Sequence, residues 1–395
     1  MLTLLGTTEE SMQFTPEHDQ LRRTTRTLIE TEINPYVDEW ERDEMLPAHH
    51  VMKLFAKAGL LGISRSSEYG GQDLDYSYEV VFAEELGRAK ATAVSTAVGV
   101  QSNMCIPALA RHGSDELRRE FLAPTLAGDL VGCIGVSEEG AGSDVASIKT
   151  TARRDGADYV ISGSKMWITN GVQGDWVCLL VNTSAEGGPH RNKSLMVVPL
   201  KSKGVKVARK LDKLGLRSSD TAQLFFDEVR VPGRYLIGEE NKGFIYQMEQ
   251  FQEERMFAVA RTLLTMETII DETIDYTRTR MVFGKPLLDN QVIHFKLAEM
   301  QSRIESVRAL LYRGVELYIN GGDATRLASM AKFLVGELAM TIPSQCLQYW
   351  GGQGFMNETR VSRVYRDLRL VPIGGGANEV MLQIISKLMG IHPRS

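Results

Sequence analysis

The sequence changes texture near Leu130 and changes back near Gly243, and this pair of transitions constrains the fold more than any other feature. Between them, short β-branched and aromatic runs alternate with turn signals as far as about Pro232. Residues 159–162, 176–181, 194–198 and 223–226 are the clearest runs, punctuated by Gly187-Gly-Pro189 and Lys203-Gly204. The pattern predicts a small antiparallel β domain. Upstream, residues 15–130 read mostly as helix. An amphipathic stretch over 17–40 carries Leu21, Leu28 and Val37, and Pro35 is expected to end or kink it. Tyr69-Gly-Gly71 is a break, and helical patterns resume over 78–86, 92–111 and 115–126. Downstream, 244–278 contains neither Pro nor Gly and predicts a long helix. Helices over 291–318, 327–349 and 379–389 follow, the second with Pro343 inside it. The order is α, β, α, an α+β fold class, with domains expected at 1–130, 131–236 and 237–395.

The 395 residues suffice for two or three domains. A net charge of −5 gives no basic excess, so no nucleic-acid or anionic-membrane surface is expected. No apolar run is long enough to span a membrane. Cys105, Cys133, Cys178 and Cys346 lie far apart, which suggests neither a disulfide framework nor a metal site. The first 14 residues contain Glu9 and Glu10 and no Arg, unlike a transit peptide. The expected location is the bacterial cytoplasm, or the mitochondrial matrix if a leader has been removed.

Five segments have the composition of ligand sites, and each also has a plain structural reading. Val136-Ser-Glu-Glu-Gly-Ala-Gly-Ser-Asp-Val145 lets a ligand approach the backbone closely, yet also reads as a surface turn. It matches neither a Walker loop nor a dinucleotide fingerprint. Gly163-Ser-Lys-Met-Trp-Ile-Thr-Asn-Gly171 places Trp167 and Thr169 two apart, on one face of a regular strand. A flat ring beside a hydroxyl suits a flavin, and a core Trp before a turn explains the text equally. Arg280-Met-Val-Phe-Gly-Lys-Pro286, with Gln291 beyond it, offers an Arg for a phosphate or a solvated loop. Gln348-Tyr-Trp-Gly-Gly-Gln-Gly-Phe355 reads as a helix end. In Ile373-Gly-Gly-Gly-Ala-Asn-Glu-Val-Met381 glycines precede a helix N-terminus, a place where anions bind.

Taken together and in this order, these motifs resemble the acyl-CoA dehydrogenase family, over nearly the whole chain from Phe14 to about Ile391. The resemblance implies an N-terminal helical domain, a middle β domain and a C-terminal four-helix bundle. It further implies FAD between the last two and a homotetramer in which the neighbouring subunit completes each FAD site. On that pattern Val136, Ser137, Gly142, Trp167 and Thr169 meet the flavin. Arg280, Phe283, Gln291, Gln348, Gly351 and Gly352 reach it from the adjacent subunit, and Ala377, Asn378 and Glu379 lie by the pyrophosphate. Ser143, Arg255, Gly375 and Gly376 are assigned to the acyl-CoA. Ala377 lacks the hydroxyl that the family favours there, which leaves it backbone contacts only.

Many members of the family carry the catalytic Glu in a Tyr-Glu-Gly-Thr segment, and here Gly374-Gly-Gly-Ala377 stands in its place. The long-chain and isovaleryl branches carry it on the first long helix of the last domain, just before an Arg. Gln252-Glu-Glu-Arg255 matches there, which makes Glu254 the expected base. At 100° per residue Gln247, Phe251, Glu254 and Ala258 share one helix face, with Glu253 turned away. A carboxylate on a face with Phe and Ala is desolvated, and so is a stronger base.

The resemblance implies removal of an α-proton and a β-hydride from an acyl-CoA thioester, with an electron-transfer flavoprotein as the acceptor of the electrons. Gly375 is expected to leave volume beside the α-carbon, favouring long or branched acyl chains. A resemblance of the Pro372–Leu382 text to citronellyl-CoA dehydrogenases points to branched substrates. The competing readings are an acyl-CoA oxidase, for which the chain is short, and a flavin-containing relative that acts as a binding protein without dehydrogenase activity.

Overall fold

The computed structural model describes residues 14–393; the reading of the N-terminal leader lies largely outside them. The first helices are α1 (Pro16–Leu28), α2 (Val37–Arg42), α3 (Ala48–Lys57), α4 (Tyr76–Leu86) and α5 (Thr92–Gly99). Short helices α6 (Pro107–His112), α7 (Asp115–Leu117) and α8 (Ala123–Leu126) follow. The expected break at Pro35 begins earlier, as a π turn over Ile29–Ile33 that leads into a tight turn over Asn34–Tyr36. Pro35 has no N–H to give residue 31 and its ring crowds that carbonyl, so the preceding turn widens. The start of α4 is fixed by Asp75, whose carboxylate accepts the N–H of Ser77 at 2.8 Å.

Eight strands form one sheet: β1 (Gly132–Gly135), β2 (Thr151–Asp155), β3 (Asp158–Thr169), β4 (Trp176–Asn182), β5 (Lys193–Pro199), β6 (Val205–Lys210), β7 (Thr221–Pro232) and β8 (Leu236–Ile237). Their order is β6-β7-β3-β2-β4-β5-β8, with β1 paired to β4. The sheet is antiparallel as expected except at β4, which runs parallel to β1 and touches β2 in parallel at one point. The β2–β3 hairpin lies between β1 and β4 in the chain and brings the strand direction back round. One face is covered by the short helices before the sheet; Trp176 Nε1 donates to Thr125 Oγ1 at 3.0 Å.

The last part consists of α9 (Gly243–Thr279), α10 (Gln291–Ile319), α11 (Thr325–Trp350), α12 (Arg360–Leu368) and α13 (Asn378–Leu388). The expected helices are all present, and α12 was not anticipated. Pro343 sits inside α11, buried in its packed face.

Two hydrophobic cores result, and they do not follow chain order. One joins Val51, Phe55 and Phe82 of the first helices to Phe257, Ile304 and Val335 of the last. The other joins the sheet to residues 105–126. The cleft described next opens between the sheet and the N-terminal half of α9.

Candidate active site

A bulge in β3 creates one wall of the cleft. Lys165 pairs with Leu224 of β7 and Ile168 with Ala222, so three steps on β3 oppose two on β7. Within the bulge Trp167 takes a φ of 62°, rare for a bulky residue and a kind of strain that collects at functional sites. Trp167 is 54% exposed, and among the described residues no ring stacks on it. The simple alternation expected for Trp167 and Thr169 fails across this extra residue. Trp167 faces the cleft, while Thr169 is half-buried at the strand end and is not among the residues lining it.

The loop beside this bulge is pinned from inside. Lys165 is fully buried, and its Nζ donates to Val136 O and to Glu138 Oε1, both at 2.9 Å. Glu138 also accepts the N–H groups of Lys149 and Thr150 at 2.7 and 3.0 Å. Burial raises the Glu138 pKa, but Lys165 and these donors outweigh it and hold the carboxyl below its ordinary value. The loop carrying Ser137, Gly142 and Ser143 is thereby fixed over the cleft. Sequence reading quoted both Lys165 and Glu138 without assigning them; Lys165 sits at a buried position of its strand, which was the available signal.

The other wall is α9. Phe251, Glu254 and Arg255 line the cleft together with Val136, Ser137, Gly142, Ser143, Trp167, Gly375 and Gly376. The cavity between the two walls measures about 180 Å³ and opens to solvent. Nine of the candidate site residues therefore line one cleft. Burial pushes the Glu254 carboxyl up to about 7, against the opposing pull of Arg255 and Lys332. Among the described residues Arg255 makes one weak hydrogen bond, to Ser329 Oγ at 3.5 Å, its guanidinium lies 5.8 Å from the centre of the Phe251 ring, and its Nε is buried without a partner.

Gly375 takes a φ of +63°, and a Cβ built on it would lie 3.2 Å from Glu254 Oε1. The volume that Gly375 was expected to free for substrate is thus bordered closely by the carboxylate itself. Beneath both lies Lys332 of α11, almost fully buried, whose Nζ donates to Val371 O at 2.6 Å and Gly376 O at 3.2 Å. Burial lowers the Lys332 pKa to about 8. This residue was missed in the sequence, where it stands on the apolar stripe of α11 with Ala328, Val335 and Ala339.

Glu253 points the other way and is not solvated. It accepts from Arg65 Nη2 at 3.2 Å, from Arg111 Nη2 and from Tyr318 Oη at 2.6 Å. Burial raises its pKa, but the two guanidinium groups outweigh that and keep the carboxyl below its ordinary value. Adjacent glutamates on one helix are therefore held in opposite protonation tendencies.

The remaining sequence-named residues do not line this cleft. Ala377 precedes α13 beside it, but Asn378 is turned inward, donating to Glu337 Oε1 at 2.7 Å, and Glu379 is exposed. Arg280, Phe283, Gln291, Gln348, Gly351 and Gly352 gather, all exposed, at the far end of the bundle. There the Tyr276 and Trp350 rings stack at 4.2 Å, and Tyr349 Oη donates to Val292 O at 3.4 Å. At 1.5 Å per residue, Arg280 is about 39 Å along α9 from Glu254.

Three family models match in order: the acyl-CoA dehydrogenase N-terminal domain over 15–129, the middle domain over 133–229 and the C-terminal domain over 241–390. The chain is 36% identical to the long-chain specific acyl-CoA dehydrogenase, mitochondrial, of Sus scrofa, over 95% of this chain and 86% of that one. It is 33% identical to the human short-chain specific enzyme, over 97% and 92% respectively. The solved structure of an acyl-CoA dehydrogenase from Geobacillus kaustophilus superposes with a TM-score of 0.91 at 34% identity, covering 96% of this chain and 99% of that one. Long-chain and short-chain branches both stand among these relatives, so no single branch is singled out. Matched in all three segments and along nearly its whole length, the chain belongs to the acyl-CoA dehydrogenase family of FAD-dependent enzymes.

Proposed function

We propose that the protein converts an acyl-CoA thioester to its trans-2-enoyl-CoA, with Glu254 as the base. The observation that carries this reading is a buried carboxyl, raised to about 7, in one cleft with the bare ring of Trp167. FAD, held against Trp167, would supply the hydride acceptor for the β-hydrogen.

The cleft wall fits such a group. Trp167 offers an uncovered ring face, and a Cβ added to Gly140 or Gly142 meets nothing within 4 Å. Ser137 brings a hydroxyl to the same wall, with Val136 beside it. Thr169 and the backbone at the start of α13, at Ala377, Asn378 and Glu379, would hold more distant parts of the cofactor, the Asn378 side chain being engaged by Glu337.

Glu254 takes the α-proton onto its carboxylate. A base with a pKa near 7 is stronger than an ordinary carboxylate and is still substantially ionised at neutral pH. The N–H of Gly375 donates to the thioester oxygen, where negative charge develops. Lys332 holds the loop carrying that donor through Val371 and Gly376. Arg255 and Lys332 keep positive charge near the base. Ser143, exposed at the cleft rim, is placed for the CoA portion, with Gly376 across from it.

The separation of about 39 Å along α9 supports assigning Arg280, Phe283, Gln291, Gln348, Gly351 and Gly352 to the FAD of a neighbouring subunit in a homotetramer. An electron-transfer flavoprotein is the proposed electron acceptor. Long or branched acyl chains are the proposed substrates, running along α9 past Ala258.

The test is anaerobic mixing of the flavin-loaded protein with a panel of acyl-CoA thioesters while flavin absorbance is followed. Wild type bleaches, and Glu254→Gln bleaches slower by about 100- to 10,000-fold. Undiminished bleaching in the variant would remove Glu254 from the role.

A further inference from the structure

Beyond the cleft, the middle of α9 is sealed except along one line. Met256, Phe257, Val259, Ala260, Thr262 and Leu263 are at most 1% exposed, whereas Glu254 keeps 7%, Ala258 6% and Arg261 8%. Spacings of four and three stack these last three on one face. Thr96 of α5, next to the Ser95 that meets Arg261, keeps 7%. The cleft itself ends at Glu254, and the next residues on this face are the small Ala258 and then Arg261.

Arg261 is poorly matched for so buried a cation. Its Nη1 donates to Ser95 Oγ at 3.3 Å, and its Nε is buried without a partner. Among the described residues no carboxylate forms an ion pair with it. Asp367 is the acid whose charge it feels, and both oxygens of Asp367 are taken by the N–H groups of Leu216 and Thr92. Lys332 and Arg255 add positive charge in the same region, against Glu254. A desolvated guanidinium with most of its donors unused costs stability unless something completes it. Helical side chains lean toward the helix N-terminus, which carries this group back toward Ala258 and the thioester end.

We propose that Arg261 forms a terminal subsite of the acyl channel that binds a carboxylate, so that the substrate is an acyl-CoA whose chain ends in a second carboxylate. This deepens the dehydrogenase reading above and rests on it. The planar guanidinium fork suits a carboxylate. Ser95 and Thr96 both donate their hydroxyl hydrogens to Thr92 O, so Ser95 orients the guanidinium and the ion pair is left to Arg261. Glu254 and Arg261 are about 10 Å apart along the helix, so among the chains proposed above the subsite selects those whose terminal carboxylate reaches that far from the thioester.

The test compares CoA thioesters of matched chain length ending in a methyl or a carboxylate, using the flavin-loaded wild type and reading kcat and KM separately. The carboxylate-ended thioester is expected to have the higher kcat/KM, by about tenfold or more and chiefly through KM. Arg261→Met is expected to collapse that ratio, and Arg261→Lys to retain part of it. Should Arg261→Met not fold, the wild-type ratio and its fall in Ser95→Ala decide the matter. Equal or better use of the methyl-ended thioester by wild type overturns the subsite alone, as does an equal loss on both thioesters in Arg261→Met. Absence of bleaching by every thioester overturns the dehydrogenase reading and the subsite with it.

Discussion

The carboxylate of Glu254 lies against the place where a side chain on Gly375 would begin, with Oε1 3.2 Å from an added Cβ. Two segments far apart in the chain thus converge on one point, and either could deliver an acid to it. Gly375→Ala is expected to fold, with a penalty of about 1 kcal/mol for the left-handed backbone. It should lower kcat by about a hundredfold, because the base is displaced. Unchanged turnover with unchanged flavin absorbance would show that the carboxylate has other room.

Function at Glu254 opposes stability. Its folded pKa of about 7 is above the ordinary carboxyl value, so its contribution to stability is complete below pH 4.5 and is lost as pH rises through 7. Glu254→Gln, which cannot ionise, is expected to be more stable than wild type at pH 8 by up to about 3 kcal/mol. The difference should vanish near pH 4.5 in urea unfolding curves. Equal stability at pH 8 would mean that the carboxylate is well solvated in the folded protein.

Lys332 favours the ionised base, so removing its charge raises the Glu254 pKa further. In wild type the rate should rise with pH and level off above about 7. Lys332→Met should move that inflection upward, and Lys332→Arg should bring it back in part. A lower rate with an unmoved inflection would leave Lys332 only its hold on the Gly376 loop.

Glu253 behaves oppositely to its neighbour. Its depressed pKa contributes stability that is present above 4.5 and lost as pH falls through the lowered folded value. Glu253→Gln leaves Arg65 and Arg111 without their shared carboxylate and should destabilise the fold by about 3–5 kcal/mol. Chemical denaturation at pH 7 checks this, and a change under 1 kcal/mol would contradict the buried network.

Trp167→Ala should weaken flavin retention about tenfold or more by removing the ring face. Flavin fluorescence on dilution measures it. Retention equal to wild type would place the ring system elsewhere in the cleft.

Much of this was legible in the residues. The two texture changes located the sheet, and the run without Pro or Gly after Phe244 became α9 almost residue for residue. The helix-face argument put Glu254 and Glu253 on different sides of α9, which is where they stand, because helical periodicity is local. What Glu253 does was not legible, since Arg65, Arg111 and Tyr318 come from three distant segments. Trp167 was identified, but the bulge that aims it depends on β7 and cannot be read from β3 alone. Lys332 could have been noticed as a charge on an apolar stripe; its meaning needed the loop from Val371 to Gly376.

The shared core of the first and last helices bears on the order of synthesis. Phe55 and Phe82 leave the ribosome long before Phe257, Ile304 and Val335, which complete their packing. The sheet, with its own separate core, has all its strands by Ile237 and can consolidate while the earlier helices still wait. A nascent chain of this protein therefore carries an unfinished apolar surface at its front end until translation is nearly over, and that surface is where a holding chaperone would be needed.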